Sequence, residues 1–113
     1  MPIGDIFWAD LPASDGYEQA GRRPVMVLQD DGYARSLPTI IIIPISSSAA
    51  ALRFPGTVEI RATDANGLAY DSVLLVFQIR ALDRRRLRSQ IGTAEQSVVA
   101  QVYQSLDQLT GHP

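Results

Sequence analysis

Apolar residues fall in short bursts along most of this chain, and only near its end do they recur every three or four positions. Residues 4–11 (GDIFWADL) are rich in strand formers, with Phe7 and Trp8 on opposite faces, and predict a first strand. Residues 12–22 (PASDGYEQAGR) mix Pro, Ser, Asp and Gly without an apolar period, the signature of a long exposed loop. Loops of that length inside a small domain are usually functional or mobile. Residues 24–29 (PVMVLQ) form a second expected strand. Arg23, pushed by the following proline toward an extended backbone, stands at its entrance.

After a loop over 30–38 (DDGYARSLP), the β-branched run 39–45 (TIIIIPI) reads as a strand buried on both faces, with Pro44 marking an edge or bulge near its end. A second loop covers 46–56. Residues 57–62 (TVEIRA) alternate, Val58 and Ile60 inward and Thr57, Glu59 and Arg61 outward. Asn66-Gly67 marks a turn, followed by a strand over 71–77 and an extended stretch over 78–82. The period then changes. Thr93-Ala94-Glu95-Gln96 has the form of a capping box, Val98, Val99, Val102, Leu106 and Leu109 recur at helical spacing, and Gly111 stops the helix. Five or six short strands and one amphipathic C-terminal helix predict a mostly β fold. The sheet should be strongly bent or closed into a small barrel, because a flat one would expose edges this apolar.

The chain has 113 residues, 46% of them apolar, which suits one domain spanning 1–113. A domain of this size buries on the order of two thirds of its unfolded surface without help from a metal or disulfide. There is no cysteine, which removes disulfide scaffolds, thiol catalysis and cysteine zinc sites. Apolar runs fall far short of the roughly 20 residues of a membrane-spanning helix, and no basic flank precedes one at the start, so a cytoplasmic protein is expected. All 10 basic residues are arginine, and the single histidine is His112 near the C-terminus. Histidine acid–base pairs, Schiff-base lysines and Walker-type lysines therefore drop out. Any positive charge offered to an anionic substrate must come from arginine. The net charge of −2 speaks against general polyanion binding but leaves room for a local basic groove.

Several segments, in order along the chain, resemble the MazF/PemK (Kid) toxins of bacterial toxin–antitoxin pairs. They are Gly4-Asp5-Ile6 with Asp10-Leu11, then Glu18-Gln19-Ala20-Gly21 with Arg23-Pro24-Val25, the most telling signature. Pro38-Thr39, the apolar strand ending at Ser46, Val58-Glu59-Ile60, Gly67-Leu68, Asp71-Ser72-Val73, Gln78-Ile79-Arg80, Asp83 with Arg86-Leu87, and Ile91-Gly92 follow. The resemblance implies an SH3-like barrel of the CcdB–MazF kind, with five to seven strands and a C-terminal helix. It also implies a homodimer that cleaves single-stranded mRNA at short specific sequences without a metal or other cofactor, and a MazE-like antitoxin whose acidic and apolar tail occupies the RNA groove. By the same resemblance Arg23 and Ser46 are the catalytic positions, and Glu18, Gln19, Gln78 and Thr39 belong with substrate binding. Serine replaces the family's usual threonine at position 46, keeping the hydroxyl and losing the methyl that stiffens the rotamer.

The residues also have plainer readings. An arginine before a strand is usually a solvated or ion-paired surface residue, Ser46-Ser47-Ser48 reads as a polar loop, and Glu18 and Glu59 read as solvated or paired charges. Gln78 suits a strand end where backbone groups need partners. Arg84-Arg85-Arg86 with Arg88 points in several directions beside Asp83 and reads as a partly paired, solvated segment. Phe7 and Trp8 suit a core or dimer contact, which leaves Tyr17 in the long loop as the better base-stacking candidate. Two functions remain open at this level: a sequence-specific endoribonuclease, or a noncatalytic interaction module on the same barrel, such as a gyrase-inhibiting toxin or an antitoxin-binding member. A guanidinium holds its proton far above neutral pH, so Arg23 is better suited to clamping a phosphate than to serving as a base.

Overall fold

In a computed structural model of the chain, which describes residues 2–13, 16 and 19–112, seven strands form one bent antiparallel sheet covered by a C-terminal helix. The strands are β1 (Asp5–Leu11), β2 (Gly21–Val27), β3 (Thr39–Ser46), β4 (Thr57–Ile60), β5 (Ser72–Leu75), β6 (Arg80–Asp83) and β7 (Leu87–Thr93); the helix α1 is Gln96–Thr110. The order is β4-β5-β3-β2-β1-β7, with β6 also on β3. This is the expected mostly β architecture with a terminal helix.

Two apolar clusters on opposite faces explain the uniform apolar run of β3. Ile43 and Ile45 pack with Ile6, Met26, Val58 and the α1 residues Val99 and Val102. Ile40 and Ile42 pack with Ala9, Val25, Val27 and Leu82. Burial on both faces therefore holds over most of β3, whereas Ile41 remains 39% exposed. Pro44 is buried opposite Val25, at the point where the other edge of β3 passes from one ladder to the next. Its missing N–H falls in that gap and interrupts no pairing there.

Four segments differ from the sequence reading, the first being the strand expected over 71–77, which runs only over Ser72–Leu75 before a 3-10 turn at Val76–Gln78. β2 begins at Gly21, because residues 21–23 pair with Leu11, Asp10 and Ala9 of β1; Arg23 thus lies within a strand and the preceding loop is shorter than expected. β7 was not expected, since its residues are exposed or only half-buried and carry no clean alternation; it pairs with β1 through two register shifts. The capping box does not form. Thr93 is held in β7 opposite Asp5, its hydroxyl donates to Asp5 Oδ1 at 3.1 Å, and Glu95 caps α1 through its backbone, accepting from the amides of Val98 and Val99. Gly111 ends the helix at φ +70°, as its position suggested.

β7 is pinned by a backbone-to-backbone approach. Buried Asn66 accepts from the amides of Thr63 and Leu68 and donates to Arg61 O at 2.7 Å, setting a tight turn. A Cβ on Gly92 would lie 2.3 Å from Ala65 O in that turn, so only glycine lets the two chains meet.

Candidate functional site

The site is created by an interruption in the neighbour of β3. Ile45 faces Leu74 of β5, and Ile42 faces Arg80 of β6: three steps along β3 against six along the opposing chain. The surplus is taken up by a 3-10 turn, Val76–Gln78, with Val76 buried and Phe77 thrown outward. Irregularities of this kind re-aim side chains beside functional sites. Here the turn forms one wall of a cleft of about 540 Å³ lined by Gln19, Ser46, Ser48, Ala50, Ala51, Arg53, Phe54, Leu75, Phe77 and Gln78. A second cleft of about 270 Å³ lies beyond the end of β3, lined by Trp8, Arg22, Arg23, Ser47, Tyr70 and Ser72 among others.

Alternation along the extended chain divides the serine tract between these clefts: Ser46 and Ser48 line the first, Ser47 the second. Ser46 ends β3 and is 8% exposed, and its Oγ accepts from the Ser48 amide at 3.1 Å. That bond uses a lone pair, so the hydroxyl proton is left to donate into the cleft. Arg23 lines the second cleft. The β2–β3 ladder runs Val27↔Ile42, Met26↔Ile43, Val25↔Pro44 and heads toward Arg23 and Ser46, stopping where Pro24 has no N–H to give. Arg23 is exposed, its Nε donates to Ala20 O at 3.2 Å, and among the described residues no carboxylate lies within ion-pairing distance. Both terminal nitrogens of its guanidinium therefore remain available to an anion.

Of the other expected residues, Gln19 and Gln78 come together. The Gln19 amide donates to Gln78 Oε1 at 2.8 Å and Gln19 O accepts from Arg80 Nη2 at 2.6 Å, so the return of the β1–β2 connection is held from both sides against the 3-10 turn. Tyr17 and Glu18 lie outside the described residues. Thr39 is not at the site: it pairs with Asp83 at the opposite end of β3 from Ser46. Seven steps of strand, roughly 23 Å, separate the two along β3. Trp8, 39% exposed, faces the cleft of Arg23, while Phe7 packs on the second core cluster. Sequence reading passed over Phe54, Phe77 and Arg53. Phe54 and Phe77 are 40% and 38% exposed with ring centroids 5.7 Å apart, and the Arg53 guanidinium lies 4.7 Å from the Phe54 ring centre. The available signal was an Arg-Phe-Pro sequence in a polar loop; the run Val73 to Phe77 hid the place where its strand ends.

The remaining arginines are largely committed elsewhere. Arg85 pairs with Asp83 at 2.8 Å, and hydrogen bonds from its side chain and amide hold the Asp83 carboxyl down at about 2. Asp10, next to the C-terminal end of β1, is bracketed by Arg88 of β7 and Arg22 of β2, whose hydrogen bonds, that of Arg88 first, lower its pKa. Arg84 donates to Ala34 O and Arg86 to Asp10 O, and Glu59 pairs with Arg61 at 3.6 Å. The arginine run is thus a partly paired surface segment, as its sequence suggested. Among the described residues no three His, Cys, Asp or Glu side chains gather into a metal-binding group, and no helix is long and apolar enough to cross a membrane.

Residues 3–110 match the family model described as the PemK-like, MazF-like toxin of type II toxin–antitoxin systems. The chain is 36% identical over 104 residues to the endoribonuclease MazF of Staphylococcus epidermidis, covering 92% of this chain and 86% of that protein. It is 38% identical over 103 residues to the endoribonuclease EndoA of Bacillus subtilis, covering 91% and 88% respectively. Among solved structures, MazF of Deinococcus radiodurans superposes with a TM-score of 0.83 at 30% identity, over 98% of this chain and 96% of that one. A MazE–MazF structure from the same organism gives 0.76 at 27% identity, over 100% and 98%.

Proposed function

Since the chain belongs to the PemK-like, MazF-like toxins of type II toxin–antitoxin systems, we infer that it is the endoribonuclease toxin of such a pair, with Arg23 and Ser46 at the scissile phosphate. The noncatalytic alternative is not favoured, because the relatives that match over nine tenths of the chain are endoribonucleases. The observation that supports the assignment of residues is the pair of clefts on either side of the serine tract at the end of β3, with a guanidinium that has no carboxylate partner among the described residues in one and a hydrogen-bonded hydroxyl in the other. A single RNA strand crossing both clefts puts one phosphate on the ridge between them.

In this reading the 2′-oxygen attacks the adjacent phosphorus and the bond to the 5′-oxygen breaks, leaving a 2′,3′-cyclic phosphate and a 5′-hydroxyl. The 2′-proton leaves to solvent and the 5′-oxygen takes one from solvent. Arg23 meets the negative charge that builds on the non-bridging oxygens, and Ser46 donates a hydrogen bond to one of them. Gln19, fixed by Gln78 and Arg80, shapes the entrance of the first cleft. With neither histidine nor lysine at the phosphate, turnover is slow and rests on electrostatic stabilisation rather than strong acid–base catalysis.

The protein works as a homodimer in the cytoplasm and is neutralised by an antitoxin whose acidic, apolar tail enters the same clefts; support for the antitoxin comes from the MazE–MazF structures of a similar protein. Incubation of the purified protein with a long single-stranded RNA in EDTA tests this reading. Cleavage at a small set of sequences with cyclic-phosphate or opened ends is the expected result, and RNA left intact across varied sequences refutes it.

A further inference from the structure

The first cleft contains more than a hydroxyl and two glutamines. Phe54 comes from the loop after β3 and Phe77 from the 3-10 turn, and both are well exposed although they touch at 5.7 Å. Two large rings left open to water side by side forgo burial that a core would have given them. Arg53 lies over the Phe54 ring at 4.7 Å and, among the described residues, has no carboxylate within ion-pairing distance. Exposed rings beside a guanidinium with no carboxylate partner among the described residues are the composition of sites for single-stranded nucleic acid, where bases stack on the rings and the cation meets the backbone. Aromatic residues and arginine are also enriched at protein–protein contacts, so a peptide tail is the competing occupant that the experiment must separate. The cleft has room: its 540 Å³ lies within the range of pockets that enclose whole small molecules.

Resting on the nuclease reading above, we propose that Phe54, Phe77 and Arg53 form a stacking subsite for one unpaired nucleobase of the RNA, that of a nucleotide adjoining the phosphate held by Arg23 and Ser46. Ser46 lines the same cleft, which places the platform beside the scissile bond rather than at a distant groove. The base lies on the Phe77 ring and the open side of Phe54, and Arg53 faces its phosphate. Stacking tolerates every base, because each has a π-face, so the subsite contributes binding and register and leaves discrimination to hydrogen-bonding groups such as Gln19 and Gln78.

A cycle of protein and substrate changes tests this. Using an oligonucleotide cleaved by the wild-type protein, the bases immediately 5′ and 3′ of the scissile phosphate are removed in turn, and kcat/KM is measured for wild type, Phe77→Leu, Phe54→Leu and Phe77→Tyr. One of the two abasic substrates should lose about 5- to 150-fold with the wild type, the range of one base–aromatic stack. Phe77→Leu should lose a similar factor on the intact substrate yet no more than about twofold further on that abasic one, and Phe77→Tyr should retain wild-type rates. Phe54→Leu should show the same coupling. Equal abasic penalties in wild type and both leucine variants overturn the stacking subsite while leaving the nuclease intact. So does a Phe77→Leu effect confined to binding of an antitoxin-tail peptide. A wild-type protein that cleaves no RNA overturns the nuclease reading and the subsite with it.

Discussion

Replacing Gln78 with alanine isolates how the site is held together. Its Oε1 is the partner of the half-buried Gln19 amide, at 2.8 Å and 59 residues away in sequence. A neutral hydrogen bond of this type contributes about 0.5–1.5 kcal/mol, and a donor left unpaired away from water costs about 1–3 kcal/mol. Because Arg80 still binds Gln19 O in the variant, the local loss should be about 1–2 kcal/mol, with little change in global stability. That corresponds to about a 5- to 30-fold faster amide exchange at Gln19 and a similar fall in kcat/KM for RNA cleavage. Exchange followed by NMR on the labelled protein, beside cleavage of one fixed oligonucleotide, gives both numbers. Gln78→Glu keeps an acceptor and should keep the protection. Identical exchange at Gln19 in wild type and Gln78→Ala would show that this clamp does not fix the cleft.

Three further outcomes follow from other parts of the molecule. Gly92→Ala forces a Cβ to within 2.3 Å of Ala65 O and should destabilise the fold by about 1–3 kcal/mol, read as a lower urea midpoint; an unchanged midpoint refutes the close approach. Asp83 has its pKa lowered from 3.8 to about 2, so its contribution to stability is fully present above pH 3.8 and is lost as pH falls through about 2; Asp83→Asn should flatten the pH dependence of unfolding in that window, and an identical acid limb contradicts the pairing with Arg85. Ser46→Thr keeps the hydroxyl, adds a methyl that stiffens its rotamer and should preserve or raise cleavage, whereas a collapse would mean that position 46 does not present its hydroxyl to the phosphate.

Much of this arrangement was legible in the sequence because local physics and the family resemblance agreed. The β-branched run from Thr39 to Ile45 pointed to a strand buried on both faces, which holds apart from Ile41, and the helical period from Val98 with Gly111 beyond it pointed to the terminal helix. Other features depend on pairing between distant segments. β7 is an edge strand whose exposed and half-buried residues leave little alternation to detect, and Thr93 is drawn from its capping role by Asp5, 88 positions earlier. The start of β2 at Gly21 is set by its register with β1, which no local pattern reports. Of the candidate site residues read from the sequence, Ser46, Gln19 and Gln78 line the first cleft and Arg23 the second, whereas Thr39, carried by resemblance alone, lies at the other end of β3. Phe54 and Phe77 were missed for a related reason: the three surplus residues opposite β3 that bring them together appear only when β5 and β6 are aligned against it.

In the proposed mechanism Arg23, which has no carboxylate partner among the described residues, takes the place of a histidine pair and stabilises the phosphate at the end of β3. Single-turnover cleavage of one RNA site in EDTA by wild type and Arg23→Ala, beside the unfolding temperature of each, tests it most directly. The expected result is a loss of at least about 100-fold in rate, the scale of removing one transition-state donor, with an unfolding temperature unchanged because the Arg23 side chain is exposed and bonds only to Ala20 O among the described residues. An Arg23→Ala protein that folds normally and cleaves at the wild-type rate would contradict it.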